Sequence, residues 1–238
     1  MVESASEKTG AEGREVVMPS LYPVALLIAG RPCVVIGGGK VAEQKVRPLL
    51  DGGAQVTVIS PQLTRRLQQW VDEGKVKHLC RRYQRGDLRG AFLTYGCTDD
   101  AETNRQVFAE ANARGQLCNI VDVPALCNFY AQSILRRGNL LITIGTHGIS
   151  PTLSRWLREQ LEEVIGPEYV EFLEIAAALR GEAKQKLATP ADRQKAWRQV
   201  VESDVFDLLR QGRREEAAEK VKEILLNRQV AKCNRNIS

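Results

Sequence analysis

Residues 31–42, Arg-Pro-Cys-Val-Val-Ile-Gly-Gly-Gly-Lys-Val-Ala, constrain this chain more than any other stretch. The apolar run at 32–36 reads as a short buried strand, and three consecutive glycines end it. From Lys40 to Leu50, apolar Val41, Val46, Leu49 and Leu50 recur at the spacing of a helix lying on a sheet. Gly37-Gly38-Gly39-Lys40-Val41-Ala42 fits G-x-G-x-x-A between that strand and helix. The first glycine permits the tight turn, the second lets a pyrophosphate reach bare backbone, and the small alanine lets helix and strand pack closely. The helix start adds free N–H groups and the positive end of its dipole. The expectation is a bound dinucleotide, NAD, cradled by Gly37, Gly38 and Gly39. The bland alternative is a glycine turn used only for packing.

The pattern continues as strand, helix, strand. Strands are expected at 55–59, 76–80, 91–97 and 117–121, with helices at 64–73 and 102–114. Pro48 sits awkwardly late in the first helix and predicts a kink. Alternation of this kind specifies an α/β fold, a Rossmann-like parallel sheet. After Pro124 the character changes. Two apolar runs flank Arg136-Arg137-Gly138-Asn139, the second of them a strand at 140–144. Ser150-Pro151 is a strong helix start, and Leu153, Trp156, Leu157, Leu161 and Val164 share one face of the helix that follows. The remainder reads as helical, with breaks near Thr189-Pro190 and Gly212. The expected division is a disordered tail at 1–18, a dinucleotide-binding domain at 19–124, a small segment at 125–162 and a helical C-terminal domain at 163–238.

Candidate site residues lie where the strands end. A dinucleotide site usually has an acidic residue after the second strand to hold the ribose. Here Ser60-Pro61-Gln62 stands there, so the Ser60 hydroxyl, the Gln62 amide or local backbone takes that place. Arg65 and Arg66 can meet a 2′-phosphate or simply form a solvated helix face. Thr98 is placed to touch the cofactor, while Asp99 or Asp100 can cap the next helix. Asp122 follows the fifth strand. It is either a proton acceptor facing the crevice or a turn-forming residue before Pro124.

Composition narrows the partners. With 34 Lys and Arg against 29 Asp and Glu, the net charge is +5 and the charges are mixed along the chain. That is compatible with a small polyanionic ligand, and no dense basic stripe marks a nucleic-acid binder. No stretch approaches the roughly 18 apolar residues of a membrane span. Six cysteines without a C-x-x-C pair, and no secretion signal, point to reduced thiols in the cytoplasm. Only His78 and His147 are available as imidazole ligands, so no protein-built metal site is expected.

Four motifs together carry a family resemblance: Gly-Gly-Gly-Lys-Val-Ala-Glu-Gln-Lys at 37–45, Cys-Thr-Asp-Asp at 97–100, Cys-Asn-Ile-Val-Asp-Val-Pro at 118–124, and Ile-Ser-Pro-Thr-Leu-Ser-Arg at 149–155. In that order, over about Leu21 to Leu187, they resemble precorrin-2 dehydrogenase, the NAD-binding module of siroheme synthases. Some members of that family also insert iron into sirohydrochlorin. The resemblance implies a dinucleotide domain, a segment that makes a homodimer by exchange between subunits, and a helical C-terminal domain. It implies that Asp122 is the catalytic carboxylate, that Lys40 and Val41 lie beside the cofactor, and that Pro61 and Gln62 lie near its adenosine end. For the carboxylate-rich tetrapyrrole it implies a basic site, for which Arg136, Arg137, Arg155 and Arg158 are candidates because guanidinium pairs carboxylate bidentately. Asn119, Thr146 and His147 complete the expected substrate set.

Two departures stand out. Gln132 replaces a proline common in the family, and Thr146-His147-Gly148 replaces a small Ser/Gly-rich loop. They leave dehydrogenation intact and put chelation in doubt. At 238 residues the sequence lacks room for a methyltransferase domain, so the expectation is that another protein methylates the precursor. Two other functions fit the same features: a non-catalytic NAD-sensing module, and a tetrapyrrole chelatase or carrier without dehydrogenase activity.

Overall fold

The structure is a computed structural model and describes residues 21–226. The expected tail at 1–18 and Cys233 lie outside the described residues. The chain forms two compact units divided between Ala131 and Gln132.

The first unit is built on five parallel strands. β1 (Pro32–Ile36), β2 (Gln55–Ile59), β3 (Val76–Leu79), β4 (Leu93–Gly96) and β5 (Leu117–Ile120) lie in the order β3-β2-β1-β4-β5. This is the expected Rossmann-like sheet. Three helices connect it: α1 (Lys40–Asp51), α2 (Arg65–Asp72) and α3 (Ala101–Ala113). Alternate residues of β1 serve opposite faces, as a pleated strand requires. Cys33 and Val35 pack with Val46 and Leu49 of α1 and Leu67 and Trp70 of α2. Val34 and Ile36 pack with Val107 and Ala111 of α3. Burial on both faces explains why the strands read as continuous apolar runs.

Pro48 does not end α1. It lies on the exposed side, as does Gln44, whose carbonyl loses its intrahelical partner to the proline ring and can be hydrated. The first unit also runs past residue 124, through a short 3₁₀ turn at Pro124–Leu126, to Ala131. Asn128 binds that extension to the sheet. Its Oδ1 accepts from Cys118 N at 2.7 Å, and its Nδ2 donates to Gln116 O at 2.8 Å.

The second unit opens with an antiparallel hairpin of β6 (Ser133–Arg137) and β7 (Leu140–Ile144). Its turn is Gly138-Asn139. Gly138 has φ 52°, and an added Cβ would stand 2.8 Å from Val170 Cγ1, so both conformation and space require glycine. α4 (Pro151–Val164) begins on the expected Ser150 cap, whose hydroxyl accepts from Leu153 N at 3.2 Å. The apolar face expected to bury this helix is largely open, with Leu153, Trp156 and Val164 all exposed. Four helices complete the unit: α5 (Glu168–Lys186), α6 (Pro190–Val201), α7 (Val205–Arg210) and α8 (Arg214–Leu226). They enclose a core of Phe172, Ile175, Val200, Val205, Leu209, Val221 and Leu225. The break between α6 and α7 falls at Ser203, whose hydroxyl donates to Val200 O at 2.7 Å and accepts from Val205 N. Among the described residues no helix is long and apolar enough to cross a membrane.

Candidate active site

Strand register places the candidate residues of the first unit on one edge. Ile36 lies opposite Ile59 and Gly96, and Gly96 lies opposite Ile120. The segments leaving those ends, 37–39, 60–62, 97–100 and 121–122, therefore emerge side by side at the carboxyl edge of the sheet. That edge is where open α/β sheets bind ligands. The ladder continues into the loops: Gly37 N donates to Ile59 O, Cys97 N to Ile36 O and Val121 N to Gly96 O, at 2.7–2.9 Å.

The three glycines have different jobs. A side chain at Gly37, which has φ 113°, would strike the Cys97 carbonyl. At Gly38 it would strike the Gln62 carbonyl and stand 2.8 Å from Ser60 Oγ. Those two glycines are required by neighbouring loops of the protein itself. Gly39 has no atom within 4 Å of the place a Cβ would take, and it is the N-cap of α1 without a side-chain capping bond. The first intrahelical bond of α1 is Glu43 N to Gly39 O, so the N–H groups of Lys40, Val41 and Ala42 have no helical carbonyl to reach. Open space, bare donors and the positive helix end fit a dinucleotide pyrophosphate. The second glycine of G-x-G-x-x-A is Gly39, the position expected to let a pyrophosphate come close. The open space lies at that position.

Supports outside the glycine turn hold this cradle. Thr64 Oγ1 donates to Glu43 Oε2 at 2.9 Å and accepts from Leu67 N, joining the first turn of α1 to the cap of α2. Thr64 N also donates to Gly38 O. The Ser60 hydroxyl is engaged inside its own loop, donating to Gln62 O at 2.8 Å. Pro61 and Gln62 are exposed beside it, and so are Lys40 and Val41. Thr98 Oγ1 accepts from Asp100 N, and Asp100 caps α3 by accepting from Glu102 N and Thr103 N. Those bonds hold the Asp100 carboxyl below the usual carboxylate range, with the Thr103 hydroxyl the largest influence. Cys97 is pushed up to about 12 by burial, against a smaller pull from Lys45, and stays a neutral thiol.

Asn104 was not singled out in the sequence. It is buried in α3, and its Nδ2 donates to Thr98 O at 2.8 Å while its Oδ1 has no partner. It ties the 97–100 loop down. The available signal was a poor helix former, asparagine, one turn after a helix cap.

Asp122 lies two residues past the end of β5. It is exposed and adopts φ 62°, the left-handed region that non-glycine residues rarely occupy. Among the described residues no hydrogen bond or ion pair engages its carboxylate. Strained backbone of this kind persists where surroundings enforce it and collects at functional sites. Asn119, expected to meet substrate, is buried and gives its amide to Phe129 O at 3.0 Å.

In the second unit the four candidate arginines separate. Arg137 donates to the carbonyls of Ile165 and Glu162, closing the end of α4. Arg158 pairs with Glu162 and Glu159. Arg136 and Arg155 are exposed, with no carboxylate partner among the described residues. The Thr146 hydroxyl donates to Ser150 O at 3.1 Å and accepts from Ser150 N, so it shapes the turn into α4. His147 is exposed at φ 55°. Among the described residues no three of His, Cys, Asp and Glu converge to hold a metal ion.

Two family models match. One, described as putative NAD(P)-binding, spans residues 24–133, and one, described as the sirohaem synthase dimerisation region, spans 168–225. The siroheme synthase of Methylobacillus flagellatus is 37% identical over 206 residues, covering 87% of this chain and 44% of that protein. Over most of its length the chain is similar to siroheme synthases. The siroheme synthase of Nitrosococcus oceani is 35% identical over 195 residues, covering 82% of this chain and 42% of its own length. The chain therefore spans less than half of these siroheme synthases. A solved precorrin-2 dehydrogenase shares the fold, with a TM-score of 0.71 and 21% identity over 85% of this chain and 100% of that one. The dimerisation-region model falls on α5–α8, whereas the sequence expectation put exchange between subunits at 125–162.

Proposed function

We propose that this chain oxidises precorrin-2 to sirohydrochlorin with NAD as the oxidant. The observation that carries the reading is the shared sheet edge: Asp122, a carboxylate without a partner among the described residues, on the same edge as the open N-terminus of α1. NAD, when bound, supplies the hydride acceptor. Gly39 and the N–H groups of Lys40 and Val41 receive its pyrophosphate, and Pro61, Gln62 and Thr98 border it. The substrate gives up a hydride and a proton, and the Asp122 carboxylate accepts the proton. Arg136 and Arg155 pair substrate carboxylates. His147 borders that region, and Arg137, Asn119 and Thr146 act by fixing local backbone.

Two arginines near the 60–62 loop are engaged by the protein itself. Arg66 is stacked over Trp70 at 5.1 Å and bonded to Gln69. Arg81, next to the 60–62 loop, is held bidentately by Asp87 at 2.7 Å for both bonds. Arg65, beside Arg66, is exposed and has no partner among the described residues, so the choice of NAD rests on the NADH assay below. The match to a dimerisation region and the open apolar face of α4 support a homodimer.

The test mixes the chain with enzymatically made precorrin-2 and NAD under anaerobic conditions and follows NADH absorbance. Turnover is expected. Its absence with NAD still bound would favour a nucleotide-sensing role. Asp122→Ala should lower kcat by roughly 10²–10⁴-fold, the usual range for a lost general base, without weakening NAD binding. Near-normal turnover would remove Asp122 from its role.

A further inference from the structure

The helical unit contains a cleft that the dehydrogenase reading does not use. It lies between α5 and α6, beside the Asn139 turn of the hairpin, and has a volume of about 750 Å³. That is within the size of small-molecule clefts, roughly 300–1,000 Å³. Leu173, Ala176 and Ala177 present one apolar strip of α5 along it, and Trp197 of α6 supplies an indole wall. Arg180, Lys184 and Arg193 complete the lining, and no carboxylate is part of it.

Several other cations of this unit are neutralised by acids. Arg158, Arg198, Arg210, Arg213, Arg214 and Lys220 each pair with a carboxylate. Among the described residues, Arg180, Lys184 and Arg193 pair with none. Asp192, adjacent to Arg193 in sequence, is engaged at the start of α6 by the Thr189 hydroxyl at 2.7 Å. Arg193 is also oriented: its Nη1 donates to Leu187 O at 2.7 Å, which fixes the guanidinium while leaving donors over.

We infer that this cleft is a second binding site, for a flat organic polycarboxylate of the carboxylated tetrapyrrole class. Cations spread over two helices suit several separated anions better than one phosphate cluster. The alanine strip and Trp197 suit a broad apolar ring. No helix N-terminus lines the cleft, as a phosphate site would favour. The choice of tetrapyrrole as ligand rests on the dehydrogenase reading. The cleft itself does not.

The test titrates uroporphyrin into the full chain and reads porphyrin absorbance and tryptophan quenching. Arg180→Gln/Lys184→Gln removes charge from two exposed side chains. Ala177→Phe fills the cleft without changing charge. Each variant is expected to lose one equivalent of bound porphyrin relative to wild type, or to bind it at least tenfold more weakly. NAD affinity and Tm should stay unchanged.

Wild-type stoichiometry and affinity in both variants overturn the inference. So does a loss confined to the charge variant, which would mean general attraction of anions. Displacement of that equivalent by ATP would make the cleft a nucleotide site, and an altered oligomeric state with intact porphyrin binding would make it an interface. Either result also overturns it. Precorrin-2 turnover, measured separately, keeps the two readings apart. Turnover with wild-type porphyrin binding in the variants refutes the cleft alone, and no turnover with porphyrin loss refutes the dehydrogenase alone.

Discussion

Gly38 and Gly39 are neighbours with opposite surroundings. An alanine at Gly38 meets the Gln62 carbonyl, a backbone atom that cannot swing aside. Overpacking of this kind costs ~1–3 kcal/mol. An alanine at Gly39 meets no protein atom, and its φ of −84° suits any residue. Gly38→Ala should therefore lower Tm and NAD affinity together. Gly39→Ala should melt like wild type yet bind NAD about tenfold or more weakly, because only the ligand is obstructed. Calorimetry on the pair checks this, and unchanged NAD affinity in Gly39→Ala would mean that the pyrophosphate lies elsewhere. Cys97 makes a second residue-scale case. Burial raises its thiol to about 12, so the native protein keeps the proton that an unfolded thiol releases near pH 8.5. The folded pKa is the higher one. Its contribution to stability is complete below about pH 8.5 and is lost as pH rises toward 12. Iodoacetamide at pH 8 should leave Cys97 unmodified in the native chain and alkylate it in urea, as peptide mass mapping would show.

At the scale of elements, α3 shows how one helix secures two loops. Its start holds the 97–100 turn through Asp100 and Asn104. Further along, Glu110 holds the 83–86 loop: Tyr83 Oη donates to it at 2.6 Å and Gly86 N at 2.7 Å, while Arg114 Nε lies at 3.1 Å. Burial alone would raise this carboxyl. The Gly86 N–H, the Tyr83 hydroxyl and Arg114 together outweigh it, and the net shift is downward. A folded pKa below the unfolded value of about 4.3 gives stability that is present above that pH and lost as pH falls through the folded value. Glu110→Gln should cost ~1–3 kcal/mol at neutral pH, the range for disrupting hydrogen bonds to a buried charged group. Its melting curve should approach that of wild type as pH drops from 6 toward 3. A gap independent of pH would mean that packing, rather than charge, holds the loop.

Glu110 also shows what the sequence could reveal. The strands, the glycine turn and the caps at Ser150 and Asp100 were legible because their signals are local, a short apolar run or a fixed offset from a helix start. The bond from Glu110 to Tyr83 joins residues 27 apart. Asn128 on Cys118, which carries the first unit past residue 124, depends likewise on how β5 lies against its own return. Nothing local in the sequence distinguishes those side chains from solvated ones. The same limit divided the four arginines, since only the fold sets Arg137 against the end of α4 and Arg158 beside Glu162.

At the scale of the whole molecule, the apolar residues that remain open decide what must cover them. Ile134 and Leu141 on the hairpin and Leu153, Trp156 and Val164 on α4 are all 39% exposed or more, with Trp156 at 54%. An open patch of this kind marks an interaction surface, and a tryptophan within it is the side chain most apt to anchor one. The dimerisation-region model, however, falls on 168–225, where Val201 at the end of α6 is 52% exposed. The two locations make different predictions for a homodimer. If α4 and the hairpin form the interface, Trp156→Asp should cost ~2 kcal/mol or more, roughly 30-fold in the dimer dissociation constant, and Val201→Asp should change little. If the helices of 168–225 form it alone, the order reverses. Sedimentation velocity over a concentration series separates the cases, because a hot-spot loss moves the dimer–monomer midpoint by more than a decade while a rim change leaves it in place. Equal weakening in both variants would mean one continuous surface, with the open face of α4 and the end of α6 covered by the same partner.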